Sequence, residues 1–117
     1  MSFLGWNVLK IKCRNIFSAL PDARKREVSR VLQKGNAFKI ERIVSQGQAT
    51  PEGKWLRSKT AEWVIVLRGR ARLLFKGARE ALDLNAGDYV FIPENTCHRV
   101  DRTHLGRKTV WLAVHIG

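Results

Sequence analysis

The chain has 117 residues, of which 44% are hydrophobic, with four tryptophans and nine glycines. This length and composition exclude a two-domain enzyme and a disordered chain, and they are typical of one compact folded domain. An excess of Lys and Arg gives a net charge of +12, which attracts polyanions without specifying a fold. The longest uncharged apolar run, residues 63–67, is too short for a membrane-spanning helix or a secretion signal, so we expect a cytoplasmic protein without membrane contact.

The first part of the chain, residues 1–37, is predicted to form an N-terminal arm and a short helix. Residues 1–11 have interrupted apolar character and fit a short strand or an ordered arm. The helix is expected within residues 22–33, where Asp22 can serve as the N-cap and Gly35 as the stop signal. Its thin apolar stripe consists of Val28, Val31 and Leu32.

Residues 38–117 have a different period, because short runs rich in Val, Ile and aromatic residues alternate with Gly, Pro and Asn turns. The turn signals recur about every 8–12 residues, a spacing typical of antiparallel strands in a sandwich or barrel. No helical pattern separates the runs, so an all-β fold of two antiparallel sheets is predicted. The predicted strands cover residues 38–44, 62–67, 71–75, 80–84, 88–92, 98–100 and 109–114.

Two spaced motifs make this prediction more specific. Glu62 is followed after six residues by Gly69, and Gly87 is followed after five residues by Pro93, with His98 five positions further on. This spacing over residues 38–117 resembles that of the cupin family, specifically the small single-domain cupins of the type-2 conserved barrel family. The resemblance implies a double-stranded β-helix, also called a jelly-roll barrel. Asn95 stands at a motif glycine and is tolerable there, because Asn also adopts left-handed conformations.

The departures from the family pattern concern its metal site. The resemblance implies that two histidines before the motif glutamate bind a divalent metal together with that glutamate and the later histidine. Here those two positions are occupied by Trp55 and Arg57, neither of which can ligate a cation, and only Glu62 and His98 remain. No cofactor is therefore predicted, although a divalent metal at Glu62 and His98 with an unrecognised third donor stays open.

Three other residues of the barrel segment, Cys97, His104 and His115, carry side chains that can donate to a metal. Cys97 is adjacent to His98 and should point to the opposite face of its strand, and it is expected, like Cys13, to be a reduced thiol. His104 lies in a charged turn and is expected to be solvated. His115 shares a face of the last strand with Trp111, and periodicity alone does not say whether that face is the interior.

Alternation along the strand places Glu62 on the same face as Val64 and Val66. The resemblance implies that this face is the barrel interior. A buried carboxylate needs a partner, and Arg57 is the nearest candidate in the sequence. The leading hypothesis is a binding protein for a small anionic ligand held by Arg57, Glu62, His98 and Trp55. The exposed strands and outward apolar residues also predict a homodimer.

Two alternatives remain. One is a metal-dependent cupin enzyme of the isomerase or dioxygenase type that uses Glu62 and His98. The other is a nucleic-acid-associated protein whose basic surface makes non-specific contacts with polyanions, based on Arg24, Lys25 and Arg26 together with Arg30. No helix-turn-helix, zinc-finger or RNA-recognition pattern supports the second alternative.

Overall fold

The computed structural model describes residues 11–117, and within this range the chain forms eight β-strands and no helix. The strands build two antiparallel sheets, one of five strands in the order β1-β2-β8-β3-β6 and one of three strands in the order β5-β4-β7. The predicted all-β class is therefore confirmed. The strands are β1 (Val28–Lys34), β2 (Phe38–Ser45), β3 (Ala61–Arg68), β4 (Arg70–Phe75), β5 (Leu82–Asn85), β6 (Tyr89–Ile92), β7 (His98–Thr103) and β8 (Thr109–Ile116).

The apolar core lies between the two sheets and follows from the period-2 pattern of the strands. On β3, Val64 and Val66 are buried, while Trp63 and Ile65 on the opposite face are only half-buried, as the sequence predicts. All seven predicted strand runs from residue 38 onward overlap observed strands. The buried core consists of Val64, Val66, Ala71, Leu73, Leu84, Ile92, Trp111 and Ala113.

The helix predicted within residues 22–33 is wrong. Residues 28–34 form β1, which pairs antiparallel with β2 from Val28 opposite Val44 to Lys34 opposite Lys39. Asp22 does accept a hydrogen bond from the backbone N–H of Arg24, as a helix cap would, but the chain then extends. A single short helix is marginal in water, whereas this segment, with its β-branched residues, pairs with β2 on the edge of a sheet, interrupted by one irregularity between Val31 and Gln33. β1 thus lies ahead of the expected barrel boundary at residue 38.

The segment before β1 is held against the barrel by side chains of the five-stranded sheet and its loops. The Arg42 guanidinium donates hydrogen bonds to the carbonyls of Ile16 and Ser18, both at 3.0 Å. Ala23 is fully buried, and its carbonyl accepts a hydrogen bond from the Gln48 amide. The prediction for residues 1–10 lies outside the described residues.

Two tight turns contain a residue in the left-handed backbone conformation, a glycine in one and an asparagine in the other. Gly69 joins β3 to β4 with a φ of 89°, and a Cβ there would lie 2.8 Å from the Cα of Thr109. Asn95 has a φ of 59°, which confirms that asparagine can replace the family's glycine at this position.

The outer face of the five-stranded sheet exposes aromatic side chains near its β6 edge. Tyr89 and Phe91 are exposed, and the Tyr89 ring lies 5.4 Å from that of Trp63. This is the kind of surface on which the homodimer prediction was based, and the dimer stays a prediction. Within residues 11–117, no helix has the length and apolar character needed to span a membrane.

Candidate functional site

A cavity of about 300 Å³ opens between the two sheets. Its wall is apolar along the strands, and its polar groups are three carboxylates, two imidazoles, one guanidinium and one hydroxyl. With neutral histidines, the three carboxylates outnumber the single cation, so the cavity is acidic although the whole chain is strongly basic. The polar lining residues are Glu27, Glu41, Arg57, Ser58, Glu62, His98 and His115.

His115 lies between two of these carboxylates. It projects from β8 on the same face as Trp111 and Ala113, which answers the question that periodicity left open. Its Nε2 is 2.6 Å from Oε1 of Glu41, and its Nδ1 is 3.6 Å from Oε2 of Glu62. The three side chains are less than one-fifth exposed. The arrangement is a carboxylate–imidazole–carboxylate relay open to the cavity.

The geometry of this relay constrains its protons. The Nε2–H group of His115 donates to Glu41, so in the neutral imidazole Nδ1 carries a lone pair directed at the oxygen of Glu62. Both acceptors line the cavity, so a bound molecule can donate to either of them.

His98 begins β7 and is nearly fully buried at the cavity wall. Its Nδ1 donates a hydrogen bond of 2.8 Å to the carbonyl of Thr96, which leaves the neutral ring with an acceptor lone pair at Nε2. Its backbone pairs with Leu56 through two hydrogen bonds of 2.7 and 3.0 Å. This bridge brings residues 56–58 to the cavity.

Arg57 lines the cavity, as predicted, but its expected ion pair with Glu62 is not formed among residues 11–117. Glu62 faces His115 instead, and Arg57 is exposed. Sequence distance suggested Arg57 as the nearest partner, but the pairing of β3 with β8 places Glu62 opposite His115. Because none of the ion pairs in the described part of the chain involves Arg57, its guanidinium is available to a ligand.

Trp55 lies apart from this group. It is 38% exposed and is not among the residues that line the cavity, so the structure brings together only three of the four predicted site residues. Within residues 51–57 the chain runs along the outside of the barrel, and only its last part turns inward at the bridge between Leu56 and His98.

A second hydrogen-bonded chain supports the cavity wall. The buried indole Nε1 of Trp111 donates to the hydroxyl of Ser45 at 3.1 Å, and this hydroxyl donates to Glu27 at 2.8 Å. Ser45 is fully buried, so its hydroxyl is the link that satisfies the indole N–H. These two hydrogen bonds fix the orientation of the Trp111 ring in the cavity.

The sequence reasoning missed Glu27, Glu41 and Ser58. A signal for Glu41 was present, because it interrupts an apolar strand and shares a face with Ile43, which also lines the cavity. No comparable signal exists for Glu27, which precedes β1 in a segment that was expected to be helical.

The described residues do not fit the metal site that the family pattern implies. Within residues 11–117, no three His, Cys, Asp or Glu side chains are grouped so that they could hold a metal ion. Glu62 and His98 both line the cavity, but Glu62 is directed at His115, and Arg57 adds a positive charge to the same wall. The cysteines Cys13 and Cys97 are free and supply no further ligand pair.

The comparison with family models identifies the class of protein. The model of the Cupin domain matches residues 40–115, which are most of the chain. The chain therefore belongs to the cupin family, and its two sheets form the double-stranded β-helix that the resemblance implies. A search of curated proteins found no match.

Solved structures agree with this assignment. A protein of Ralstonia eutropha JMP134 described as a "putative mannose-6-phosphate isomerase" is 39% identical, with a TM-score of 0.87 over 91% of this chain and 98% of that one. A cupin superfamily protein of Desulfitobacterium hafniense DCB-2 is 15% identical, with a TM-score of 0.68 over 83% of both chains. A cupin of Methanocaldococcus jannaschii with a double-stranded β-helix fold is 18% identical, with a TM-score of 0.64 over 83% of this chain and 85% of that one. The last two likenesses concern the fold alone.

Proposed function

We propose that the cavity binds a small hydroxylated carbonyl compound with an anionic group, of the sugar-phosphate class, and transfers protons on it as an isomerase does. The observation that carries this proposal is the position of the His115 imidazole between Glu41 and Glu62, 2.6 and 3.6 Å away, at the wall of the cavity. The name of the Ralstonia eutropha relative supports the same class of substrate.

The charge distribution determines how such a ligand would lie. Its anionic group is repelled by the three carboxylates of the cavity and attracted to Arg57, whose planar guanidinium holds a phosphate through two parallel hydrogen bonds. Its hydroxyl groups are donors that carboxylate oxygens accept. The ligand therefore enters with the hydroxylated carbon chain inward and the phosphate at Arg57.

The proposed reaction is an interconversion of an aldose and a ketose. A base removes the proton from the carbon next to the carbonyl group, and the electron pair moves to form an enediolate. The hydroxyl proton of the first carbon then passes to the former carbonyl oxygen, and the removed proton is returned to the former carbonyl carbon. Glu62 or Nδ1 of His115 accepts the proton from the first carbon and returns it to the former carbonyl carbon. His98 provides a second acceptor, at Nε2, for a substrate hydroxyl.

No step of this proposal passes through a metal ion, because the described residues do not form a donor set for one. The metal-dependent alternative, based on Glu62 and His98, predicts instead that activity follows metal content. Simple binding without chemistry predicts saturable affinity without proton exchange.

The test is the exchange of the substrate's carbon-bound proton with solvent deuterium, followed by NMR on chelator-treated protein with mannose 6-phosphate as the probe. We expect exchange by the natural sequence and a loss of about 100-fold or more in His115→Gln and Glu62→Gln, as for other removed acid–base groups. Glu80→Gln, an exposed carboxylate outside the cavity, is the matched control and should retain the rate. Exchange that survives His115→Gln contradicts the relay, and exchange that requires added metal supports the alternative.

A further inference from the structure

A groove of strongly positive character lies on the other side of the molecule from the cavity mouth. It is formed by two adjoining depressions that share Arg70 and His104. The turn between β3 and β4, the loop between β7 and β8, and the outward face of the three-stranded sheet contribute to it. We call it the basic groove, and its basic residues are Arg68, Arg70, Arg72, Arg102, Arg107 and Lys108.

The basic groove has little internal compensation of charge. Asp83 is the one acidic side chain that lines it in the described part of the chain, and it is bound to Arg72 at 2.7 Å. This hydrogen bond, aided by the nearby charge of Arg102, lowers the pKa of Asp83 below its usual value. No hydrogen bond or ion pair within residues 11–117 occupies the guanidinium of Arg70, Arg102 or Arg107.

Two of the cations are held in position rather than free to move. The Arg68 guanidinium lies 4.3 Å from the centre of the Phe17 ring, and the Lys108 amine donates to the carbonyl of Leu20 at 3.3 Å. The segment before β1 thus orients one side of the basic groove. Fixed cations lose less side-chain entropy when an anion binds.

The basic groove and the cavity lie at opposite ends of the same strands. Glu62 is near the start of β3 and Arg68 at its end, so six residues of extended chain, about 20 Å, separate them. On β8, His115 is near the end, and Lys108 immediately precedes the strand. A ligand of the small cavity therefore does not reach the basic groove.

We propose that the basic groove binds the phosphodiester backbone of double-stranded nucleic acid, without reading its sequence. Several unpaired cations along one groove match a repeated negative charge better than a single small anion. No Phe, Tyr or Trp side chain lines the groove among the described residues, so it lacks the large aromatic rings on which the bases of single strands stack. A duplex, recognised through its phosphates, needs only the cations.

The basic segment at residues 24–30 does not line the basic groove. Arg24 is bound to Asp22 at 2.7 Å, and this hydrogen bond lowers the pKa of the Asp22 carboxyl to about 2. The remaining cations of that segment do not line the basic groove, so they offer a matched control for charge without groove geometry.

The experiment measures the affinity of the full chain for a 20-base-pair DNA duplex by fluorescence anisotropy between 50 and 200 mM salt. About five phosphate contacts predict a loss of affinity of about 500-fold over this range. The double substitution Arg70→Ala with Arg107→Ala should weaken binding by about 60-fold at 0.1 M salt and reduce the salt slope by about 2. Both side chains are exposed and free of partners in residues 11–117, so the fold should be retained.

The control removes the same charge elsewhere, through Lys25→Ala with Arg26→Ala, and should weaken binding by less than about threefold. Equal losses in both double variants would overturn the proposal, because net charge alone would then explain the affinity. The proposal also fails if the duplex does not bind at 50 mM salt, or if vesicles of anionic lipid or a single strand of equal length bind more tightly. Proton exchange on mannose 6-phosphate is measured on the same variant and should not change, which keeps this test separate from that of the cavity.

Discussion

The charged side chains at the two ends of the central strands β3 and β8 differ in burial and in pairing. At the cavity end, Glu41, Glu62 and His115 are mostly buried and directed at one another. At the other end, the cations of the basic groove are mostly exposed, and only Arg72 has an acidic partner among the described residues. Burial accounts for the difference, since a charge inside the barrel needs a partner, whereas water solvates one at the rim.

This difference separates structural from functional roles. Removing a buried polar group of the cavity should lower stability, because its partner loses a hydrogen bond that water cannot replace. Removing an exposed cation of the basic groove should leave stability nearly unchanged and should affect only binding.

The largest effect is expected at Gly69, where β3 turns into β4 beside the basic groove. A residue with a side chain would have to adopt an unfavourable backbone φ of 89° here, and its Cβ would lie 2.5 Å from Oγ1 of Thr109. We expect Gly69→Ala to lower the free energy of unfolding by about 3 kcal/mol or more, measured by urea denaturation. Gly77→Ala is the control, because its φ of 86° is equally strained but no atom lies within 4 Å of the new Cβ. It should cost only about 1–2 kcal/mol. Equal losses would mean that the contact with Thr109 contributes nothing.

The second prediction concerns Ser45, whose hydroxyl links Trp111 to Glu27 behind the cavity. Ser45→Ala leaves a buried indole N–H without an acceptor, which should cost about 1–3 kcal/mol of unfolding free energy. Ser29→Ala, on the exposed strand β1, should change it by less than about 0.5 kcal/mol. If the two variants are equally stable, the hydrogen-bonded chain is not a structural element of the wall.

Most of the barrel could be predicted from the sequence, because alternation in a strand and a glycine in a turn are local properties. Residues 38–117 therefore follow their pattern, and the motif positions Glu62 and His98 lie inside as expected. The segment of β1 could not be predicted in the same way. Its apolar stripe at Val28 and Val31 satisfies a helix, and the choice of strand depends on the free edge of β2, which is distant in the sequence.

The site was predicted only in part, for a related reason. The partner of Glu62 is set by the register between β3 and β8, which brings it opposite His115, while sequence distance suggested Arg57. Glu41 reaches the same imidazole from β2, two strands away from β3. Predicting contacts between strands requires the order of the strands in the sheet, which the local pattern of a single sequence does not give.

The third prediction uses this corrected role of Arg57. Because Glu62 does not depend on it, Arg57→Ala should change the unfolding free energy by less than about 0.5 kcal/mol. The affinity for mannose 6-phosphate, measured by calorimetry, should fall by about 10- to 100-fold, and Arg57→Lys should lose most of it as well, because a point charge does not reproduce the planar fork. Lys54→Ala, an exposed cation nearby that does not line the cavity, should keep the affinity. A large loss of stability in Arg57→Ala would contradict this role and would support an ion pair between Arg57 and Glu62.

The smallest effect is expected from removal of metal ions. A dication that bound only the folded state would stabilise it in proportion to the logarithm of its occupancy, so a chelator would lower the melting temperature of a true metalloprotein. Here Glu62 already faces the imidazole of His115, and the positive charge of Arg57 lies on the same wall. A metal ion would therefore have to displace His115 from Glu62 and approach the guanidinium of Arg57. We expect EDTA to change the melting temperature by less than about 1 °C, with Mn²⁺ and Zn²⁺ additions as the reverse experiment. A decrease of several degrees in EDTA, absent from Glu62→Gln, would instead assign Glu62 as a metal ligand and would replace the proton relay by a metal centre.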